Sequence, residues 1–345
     1  MAEAGGGASR QWLGWAWRVV GSVLLLALLL VNRQVRDELA SLPPETIWWV
    51  LGAAVLYIGS QAVNTVKWQL ILDGLGHRRR FGQLYAVTLA GMFGNLFLPT
   101  TVGGDVLRVG LISADGVPAS LGLLSVFIQR VTGLVALLVI GVVGLAVSGE
   151  LGEPVPRQVL VGLSVLLGAL LVATVIGVLA ETRLGLARRL PTPLSRPLLK
   201  LGAGARALAG QPRVLWLAIW WSFVFQLSHV GLGVLLALPA AGTVAARHYL
   251  WLVPILNVGG MVPVGLGGVG SREQTANLWL MPFTGSAGVV WAALWSAMVI
   301  VASLPGGLAL AGMRRSTAKE SAAEAAAETG DAAAPPNPEP KSSDG

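Results

Sequence analysis

Long runs of apolar residues restrict the folds open to this chain more than any other feature. They lie at about 12–31, 47–66, 83–98, 119–147, 158–180, 214–237, 249–266 and 286–312. Several reach the roughly 20 residues that an α-helix needs to cross the hydrocarbon core of a bilayer. A transmembrane β-barrel is excluded because runs such as 24–30 are apolar throughout, whereas barrel strands alternate. Charged residues make up only 12% of the chain, so the sequence predicts an all-α polytopic membrane protein.

A ten-residue motif occurs twice, and each copy interrupts an apolar stretch. Both copies follow the pattern P-x3-G-G-x3-R, the first at 99–108 and the second at 263–272, an offset of 164 residues. Proline ends a helix, and paired glycines allow positive φ and close backbone contact. In transporters, matched Gly/Pro breaks in the two halves of a chain are the best sequence indication of the transport site. A simple kink would explain one such break, but the matched pair favours a site.

Basic residues are concentrated in a few segments, and their distribution predicts the orientation of the helices. Cytoplasmic loops collect Lys and Arg, and we place on that side the segments 67–80, 181–213 and 314–315. We place outside the loops 32–46, 148–157 and 238–248. Topology is the simplest explanation of the net charge of +7, contact of the basic loops with anionic head groups is a second one, and no nucleic-acid partner is expected.

This orientation requires an odd number of crossings between residues 80 and 150, where two apolar stretches lie. We therefore expect 83–112 to enter the membrane and turn back at the first motif. By the same count, 249–275 enters from the opposite face and turns back at the second motif. The prediction is six full spans plus two oppositely inserted re-entrant hairpins, or about eight apparent spans. Irregular backbone at membrane depth persists only where protein buries it or water reaches it, so the two motifs should face each other inside the protein.

These segments also predict the domains. The transmembrane domain covers 12–312, and its halves, about 47–147 and 214–312, form an inverted repeat of helix, hairpin and helix. The ends, 1–11 and 313–345, are predicted to be disordered from their composition. Both termini are expected in the cytoplasm, with the protein in the cell (inner) membrane. The first apolar run has no A-x-A cleavage site after it, so we expect an uncleaved first helix instead of a signal peptide.

Charged residues within the motifs are the first candidates for function. An ionisable residue inside the membrane costs roughly 2.5–3.5 kcal/mol on insertion scales and indicates function by default. Asp105 and Arg108 are three residues apart, so they are neighbours if that stretch is helical. A purely structural ion pair is the alternative. Glycine amides of both motifs, at 103–104 and 267–268, can cradle an anionic head group.

Further polar residues near the motifs complete the predicted site. Arg130 either extends to the cytoplasmic interface, neutralises Asp105 or holds a phosphate with its planar fork. Arg272 and Glu273 form a second charged cluster, for which a self-neutralising pair is the alternative. Asn95 either caps a hairpin helix or contacts a head group. The predicted substrate-binding residues are Asn95, Pro99, Gly103, Gly104, Asp105, Arg108, Arg130, Pro263, Gly267, Gly268, Arg272 and Glu273.

Enzyme and metal motifs are absent from the sequence. The chain has no cysteine and three histidines, so thiolate chemistry is excluded and no metal or other cofactor is expected. His229 lies in an apolar helix and is expected to be a hydrogen-bonded interior residue. Neither H-E-x-x-H nor a P-loop occurs, and Val102-Gly103-Gly104-Asp105 lacks the first glycine of the G-x-G-D protease pattern. No histidine follows Ser271 in the sequence to act as its base, so we do not expect an enzyme.

The residues around the two motifs resemble the lysylphosphatidylglycerol synthase transmembrane-region family, also called the flippase-like domain family. The resemblance covers about 15–312 and rests on Asn95-Leu96-Phe97-Leu98-Pro99, Gly103-Gly104-Asp105, Arg108, Gln129-Arg130 and the run from Val262 to Glu273. Members often carry Glu-Arg where this chain has Gln129-Arg130. The family is implicated in moving lipid-linked head groups, and in its bifunctional members a separate soluble domain makes the aminoacyl lipid. The resemblance implies a stand-alone member without the synthase domain.

The expected function is translocation of an anionic phospholipid or a lipid-linked sugar, with membrane lipids as partners. Arg108, Arg130 and Arg272 would hold the phosphate. Asp105 and Glu273 would contact head-group hydroxyls or amines, or take up a coupling proton. One alternative is an intramembrane transferase that acts on a lipid carrier, with one of these carboxylates as base. Another is a non-catalytic scaffold that binds envelope-biosynthesis enzymes. The oligomeric state is not predicted.

Overall fold

The computed structural model describes residues 31–97, 103–149, 206–239, 244–262 and 266–331, and also 24, 27, 154, 156–159, 161–169, 172 and 204. Within this part of the chain every regular element is helical. The helices are α1 (Arg33–Ala40), α2 (Thr46–Gly74), α3 (Phe81–Phe97), α4 (Gly103–Ala114), α5 (Ala119–Ser148), α6 (Pro212–Ala237), α7 (Tyr249–Gly260), α8 (Ser271–Thr275), α9 (Met281–Thr284) and α10 (Ser286–Asp331). Short 3-10 segments, Ala246–His248 and Leu266–Gly268, precede α7 and α8, and a π-helical turn, Ala276–Leu280, joins α8 to α9.

Four described helices are long and apolar enough to cross a membrane: α2, α5, α6 and the Ser286–Met313 part of α10. The protein is thus an all-α polytopic membrane protein, as the apolar runs predict. The predicted span 12–31 lies largely outside the described residues, and so does the second half of the predicted span 158–180. The total of six full spans therefore stays a prediction.

Helix α2 is longer than its apolar run suggests. It continues to Gly74, so residues 67–74 are part of the helix and not of a loop, while the cytoplasmic placement of 67–80 stays a prediction. Lys67 was counted among the basic residues that set the orientation of the helices, but its side chain is buried, with 2% of its surface exposed. Hydrogen-bond partners within the bundle allow a buried lysine to remain in the helix, and Trp68, Ile71 and Leu72 beside it are fully buried.

The first motif forms the tip of an antiparallel helical hairpin, α3 and α4. At the base, Gln83 Nε2 donates to Asp115 Oδ2 at 2.6 Å. Near the tip, the Gly104 amide donates to Asn95 Oδ1 at 2.8 Å. The break itself, 98–102, lies outside the described residues. The hairpin therefore closes through the asparagine, which caps the start of α4, one of its two predicted roles.

The second motif forms the tip of another antiparallel hairpin, built from α7 and the α8–α9 segment. Gly259 packs directly on Thr275, and Gly260 packs on the Arg272 side chain. Farther from the tip, the rings of Trp251 and Phe283 lie with centroids 5.2 Å apart. Both halves, α2–α5 and α6–α10, therefore follow the same order of helix, hairpin and helix.

The two hairpins enter the bundle from opposite ends, and helix α5 shows this directly. Gly122, near the start of α5, packs on Ile112 at the base of the first hairpin. Gly144, near its end, packs on Leu250 at the base of the second. These glycines are 22 residues apart on one helix, a distance of about 33 Å at 1.5 Å per residue.

The tips of the hairpins meet near the middle of the bundle, as the paired motifs predict. A Cβ on Gly267 would lie 3.2 Å from Leu96 Cδ2 and 3.8 Å from the Asn95 carbonyl oxygen. Gly267 also has a φ of 58°, which favours glycine. The tip of the second hairpin thus rests against the end of α3, and both motifs border one shared space.

The last helix extends beyond the predicted end of the transmembrane domain. Helix α10 continues to Asp331, whereas the sequence predicts disorder from 313. The Ala- and Glu-rich stretch after 320 has high helix propensity, which explains a helical backbone despite a composition typical of disorder. Residues 332–345 and 1–11 lie outside the described residues.

Candidate functional site

A polar cavity of about 290 Å³ lies where the hairpin tips meet. The tips, together with α2, α5, α6 and α10, form its walls. Gln61 of α2 and Leu134 of α5 line it close to the middle of their helices, so the cavity sits at mid-span depth. Its charged lining residues are Lys67, Asp105, Arg108, Arg130 and Arg272. Among the described lining residues, four cations therefore accompany one carboxylate.

Asp105 lies between two guanidinium groups. It belongs to the first turn of α4, where the helix dipole favours a negative charge. Arg130 Nε contacts Asp105 Oδ2 at 2.6 Å, and Arg108 Nη1 lies 3.5 Å from Asp105 Oδ1. The side chain of Asp105 is 7% exposed and that of Arg130 is 47% exposed. Asp105 and Arg108 are thus buried, whereas Arg130 is partly exposed. This arrangement fits the interpretation in which Arg130 neutralises Asp105.

Gln129 connects this ion cluster to the buried lysine. Arg108 Nη2 donates to Gln129 Oε1 at 2.7 Å, and Gln129 Nε2 donates to Asn64 Oδ1 at 3.0 Å. Lys67 Nζ donates to the Gln129 carbonyl oxygen at 3.0 Å and to Ser222 Oγ at 3.1 Å. One amide residue therefore holds two cations through two different oxygens.

The face of Trp68 supports the guanidinium of Arg108. The Arg108 Cζ atom lies 4.0 Å from the ring centroid, within the range of a cation–π contact. The indole Nε1 donates to Ser125 Oγ at 2.9 Å, which fixes the ring plane. Arg108 Nε is buried without a hydrogen-bond partner, so this side chain retains an unused donor beside the cavity.

The second hairpin contributes Arg272 from the opposite wall. Its Nη1 donates to the Gly267 carbonyl oxygen at 3.0 Å, and its Nε is buried without a partner. Glu273 points elsewhere: its Oε2 accepts from the Gly270 amide at 2.7 Å, and it is 1% exposed. Glu273 is therefore a capping residue of α8, and it does not line the cavity.

Uncharged polar and aromatic side chains cover the remaining wall. Gln226 Nε2 donates to the Gly133 carbonyl oxygen at 3.0 Å. His229 Nδ1 lies 2.8 Å from the Phe225 carbonyl oxygen, in line with the hydrogen-bonded interior histidine that the sequence suggests. The rings of Tyr57 and His229 meet edge to face with centroids 5.1 Å apart.

The structure brings only part of the predicted site together. The predicted residues that line the cavity are Asn95, Asp105, Arg108, Arg130, Gly267 and Arg272. Gly103, Gly104, Gly268 and Glu273 do not line it. The Gly104 amide is occupied by Asn95, so its predicted contact with an anion is replaced by a contact within the hairpin. Pro99 and Pro263 lie outside the described residues.

Helix α2 supplies lining residues that the motif argument missed. They are Tyr57, Gln61, Asn64 and Lys67. Their spacing of three or four residues marks one face of a helix. The sequence signal for this wall was therefore a row of polar residues on one face of an otherwise apolar span. It was missed because Lys67 was interpreted only as a charge that sets the topology.

Comparisons with known proteins identify the family of this chain. The sequence profile of the family described as "Lysylphosphatidylglycerol synthase TM region" matches residues 15–309, and the chain belongs to that family. It is also 29% identical over 136 residues to a protein named glycosyltransferase AglD from Haloferax volcanii. That alignment covers 38% of this chain and 22% of the relative.

Proposed function

We propose that this protein moves an anionic phospholipid or a lipid-linked sugar across the membrane. The observation that carries the proposal is the cation-rich cavity between two oppositely inserted hairpins. The family name and the name of the relative fit a function that involves membrane lipids. Membrane lipids are accordingly the proposed partners.

The charge of the cavity supports an anionic ligand. Isolated cations at membrane depth are costly, and each needs a counter-charge. Asp105 is the one carboxylate among the described lining residues, and its single charge does not neutralise Lys67 and three arginines. Planar guanidinium groups hold phosphate oxygens through two parallel hydrogen bonds. A lipid phosphate satisfies both requirements while its acyl or prenyl chains remain in the bilayer.

The arrangement of the hairpins supports transport. Substrate sites of transporters built from inverted repeats lie near the bilayer midplane, at the ends of broken helices. Here the tips of both hairpins end at the cavity, and their bases lie at opposite ends of α5. Rocking one half against the other would expose the phosphate site alternately to each face. We place the protein in the cell membrane with both termini cytoplasmic.

The name of the relative favours one alternative, an intramembrane transferase that acts on a lipid carrier. Such an enzyme needs a carboxylate free to act as a base. Asp105 is held by two arginines, and Glu273 is occupied by the Gly270 amide. These contacts favour translocation without chemistry over transfer with either residue as base.

The proposal is tested in liposomes that contain the purified chain and acyl-labelled fluorescent lipids. We expect a label initially in one leaflet to become accessible in the other, with no new chemical species in the extracted lipid. Asp105→Asn and Arg108→Gln should slow this movement at least tenfold. Arg213→Gln, at an exposed position outside the cavity, is the matched control and should resemble wild type. A new lipid product would instead support the transferase, and full-rate movement by both cavity variants would refute the site.

A further inference from the structure

Lys67 is a positively charged residue in the wall of the cavity, and the paired motifs do not explain its role. It lies on α2, outside both hairpins, and is 2% exposed. Its ammonium donates to the Gln129 carbonyl oxygen and to Ser222 Oγ, at 3.0 and 3.1 Å. An ammonium has three N–H donors, so these acceptors leave one for the cavity that Lys67 lines.

The charges around the cavity do not balance. Lys67, Arg108, Arg130 and Arg272 line it, and the carboxylates beside them are Asp105 in the lining and Glu273 behind it. Counted as formal charges, the positive groups among these described residues exceed the negative groups by two. Neutralisation requires a ligand with two negative charges, because uncompensated charges at low dielectric are disfavoured. An ordinary diester phospholipid carries one and would leave a positive charge unpaired.

The excess positive charge is concentrated on one side of the cavity. Gln129 holds Lys67 through its carbonyl oxygen and Arg108 through Oε1, so both cations flank a single residue. Arg130 joins them through Asp105. Three cations with one carboxylate therefore form a compact group, suited to two negative charges that lie close together.

We propose that the head group carries two adjacent negative charges, as a lipid phosphomonoester or a diphosphate diester does, and that Lys67 selects for the second charge. This inference rests on the proposed function and specifies its substrate class. Arg108 and Arg130 bind the phosphate that every anionic lipid has, while Lys67 acts only on ligands with a further negative charge. Zwitterionic and aminoacylated lipids are disfavoured because they bring cations into a positive cavity.

Direct binding tests the inference without requiring transport. The full chain in phosphatidylcholine nanodiscs is titrated calorimetrically with three dioctanoyl lipids, against empty nanodiscs. Phosphatidic acid supplies the phosphomonoester, CDP-dioctanoylglycerol the diphosphate diester, and phosphatidylglycerol the single-charge diester. We expect at least one of the two doubly charged lipids to bind at least tenfold more tightly than phosphatidylglycerol. The tighter of the two identifies the source of the double charge.

Variants test whether Lys67 causes the preference for doubly charged lipids over phosphatidylglycerol. Lys67→Met should reduce this preference to threefold or less, whereas Lys67→Arg should retain it. Arg213→Met removes a cation at an exposed position outside the cavity and should behave as wild type. Gln129→Glu cancels one of the excess charges without removing the lysine. It should also lower the preference, which keeps the test decisive if Lys67→Met fails to fold.

The inference is overturned if wild type binds phosphatidylglycerol as tightly as both doubly charged lipids, or if folded Lys67→Met and Gln129→Glu keep the full preference. Transport in liposomes is scored separately. If phosphatidylglycerol moves between leaflets but the chain shows no binding preference, the proposed translocation is supported and only the inference about charge is refuted. If doubly charged lipids bind tenfold more tightly but no lipid moves between leaflets, the proposed translocation is refuted instead.

Discussion

At the scale of single residues, two uncharged side chains organise the charged ones. Gln129 holds Arg108 and Lys67 through separate oxygens, and Trp68 lies under the Arg108 guanidinium. A glutamate at position 129 would add a carboxylate to this cluster. With glutamine there, this chain has one carboxylate fewer in the cluster and a larger excess of positive charge. Under the proposed function, the identity of this neutral residue affects how much negative charge a ligand has to supply.

The role of Trp68 leads to a prediction about ligand affinity. Trp68→Leu removes the ring beneath Arg108, and a cation–π contact contributes about 0.5–2 kcal/mol. We expect anion affinity to fall between twofold and thirtyfold, together with a loss of stability of about 3 kcal/mol from the buried indole. Trp68→Phe keeps an aromatic face and should retain most of the affinity. Calorimetric titration and thermal unfolding in detergent measure the two effects.

Trp216 is the matched control, because its side chain is 72% exposed on the bundle surface. Trp216→Leu should leave anion affinity unchanged. Equal losses of affinity in Trp68→Leu and Trp216→Leu would mean that the ring beneath Arg108 has no specific part in binding.

At the scale of elements, each hairpin depends on glycines that let two helices touch. In the first hairpin, Gly104 packs against the Gly91 carbonyl oxygen and the Asn95 side chain. In the second, Gly268 packs against the Gly260 carbonyl oxygen and the Arg272 side chain. The sequence suggested that the motif glycines bind the ligand through their amides. Their main observed role is to bring the helices together, which positions the arginines one turn farther along.

This packing predicts different outcomes for two glycines on the same helix. Gly104→Ala would drive a Cβ into backbone of α3, so we expect a loss of about 1–3 kcal/mol, as for overpacked cores. Gly110→Ala has nothing within 4 Å of the new Cβ. It should be neutral or stabilise the helix by up to about 1 kcal/mol. Thermal unfolding of the two variants provides the comparison, and equal stability would contradict the close hairpin packing.

At the scale of the whole molecule, two hairpins from opposite ends close one cavity. Helix α5 contacts the base of the first hairpin near Gly122 and the base of the second near Gly144. The tips meet at Gly267 and Leu96. Neither half encloses the cavity alone, so any relative movement of the halves changes access to the charged residues.

This geometry predicts labelling from opposite faces. The chain has no cysteine, so Ala114→Cys and Ala246→Cys each provide a single thiol at an exposed position near a hairpin base. In oriented vesicles, a membrane-impermeant maleimide should label position 114 from the cytoplasmic side and position 246 from the outside. Labelling of both from one side would overturn the opposed insertion.

Several features could be predicted from the sequence alone. Apolar runs at span length require helices, because no water satisfies the backbone in a bilayer. The repeated Pro/Gly motif indicates two broken hairpins that face each other. Asp105, Arg108, Arg130 and Arg272 were predicted as site residues because charges at that depth are costly, with structural roles as the alternative.

Only the tertiary structure decided which residues share the cavity and in what pairings. Lys67 looked like an ordinary loop charge because a lysine near the end of an apolar run satisfies the same topological rule whether it is exposed or buried. Glu273 looked like a ligand but caps the Gly270 amide. Helical periodicity assigns a side chain to a face of its helix, but the neighbours of that face come from packing between helices distant in sequence. The charge balance of the site is therefore a tertiary property.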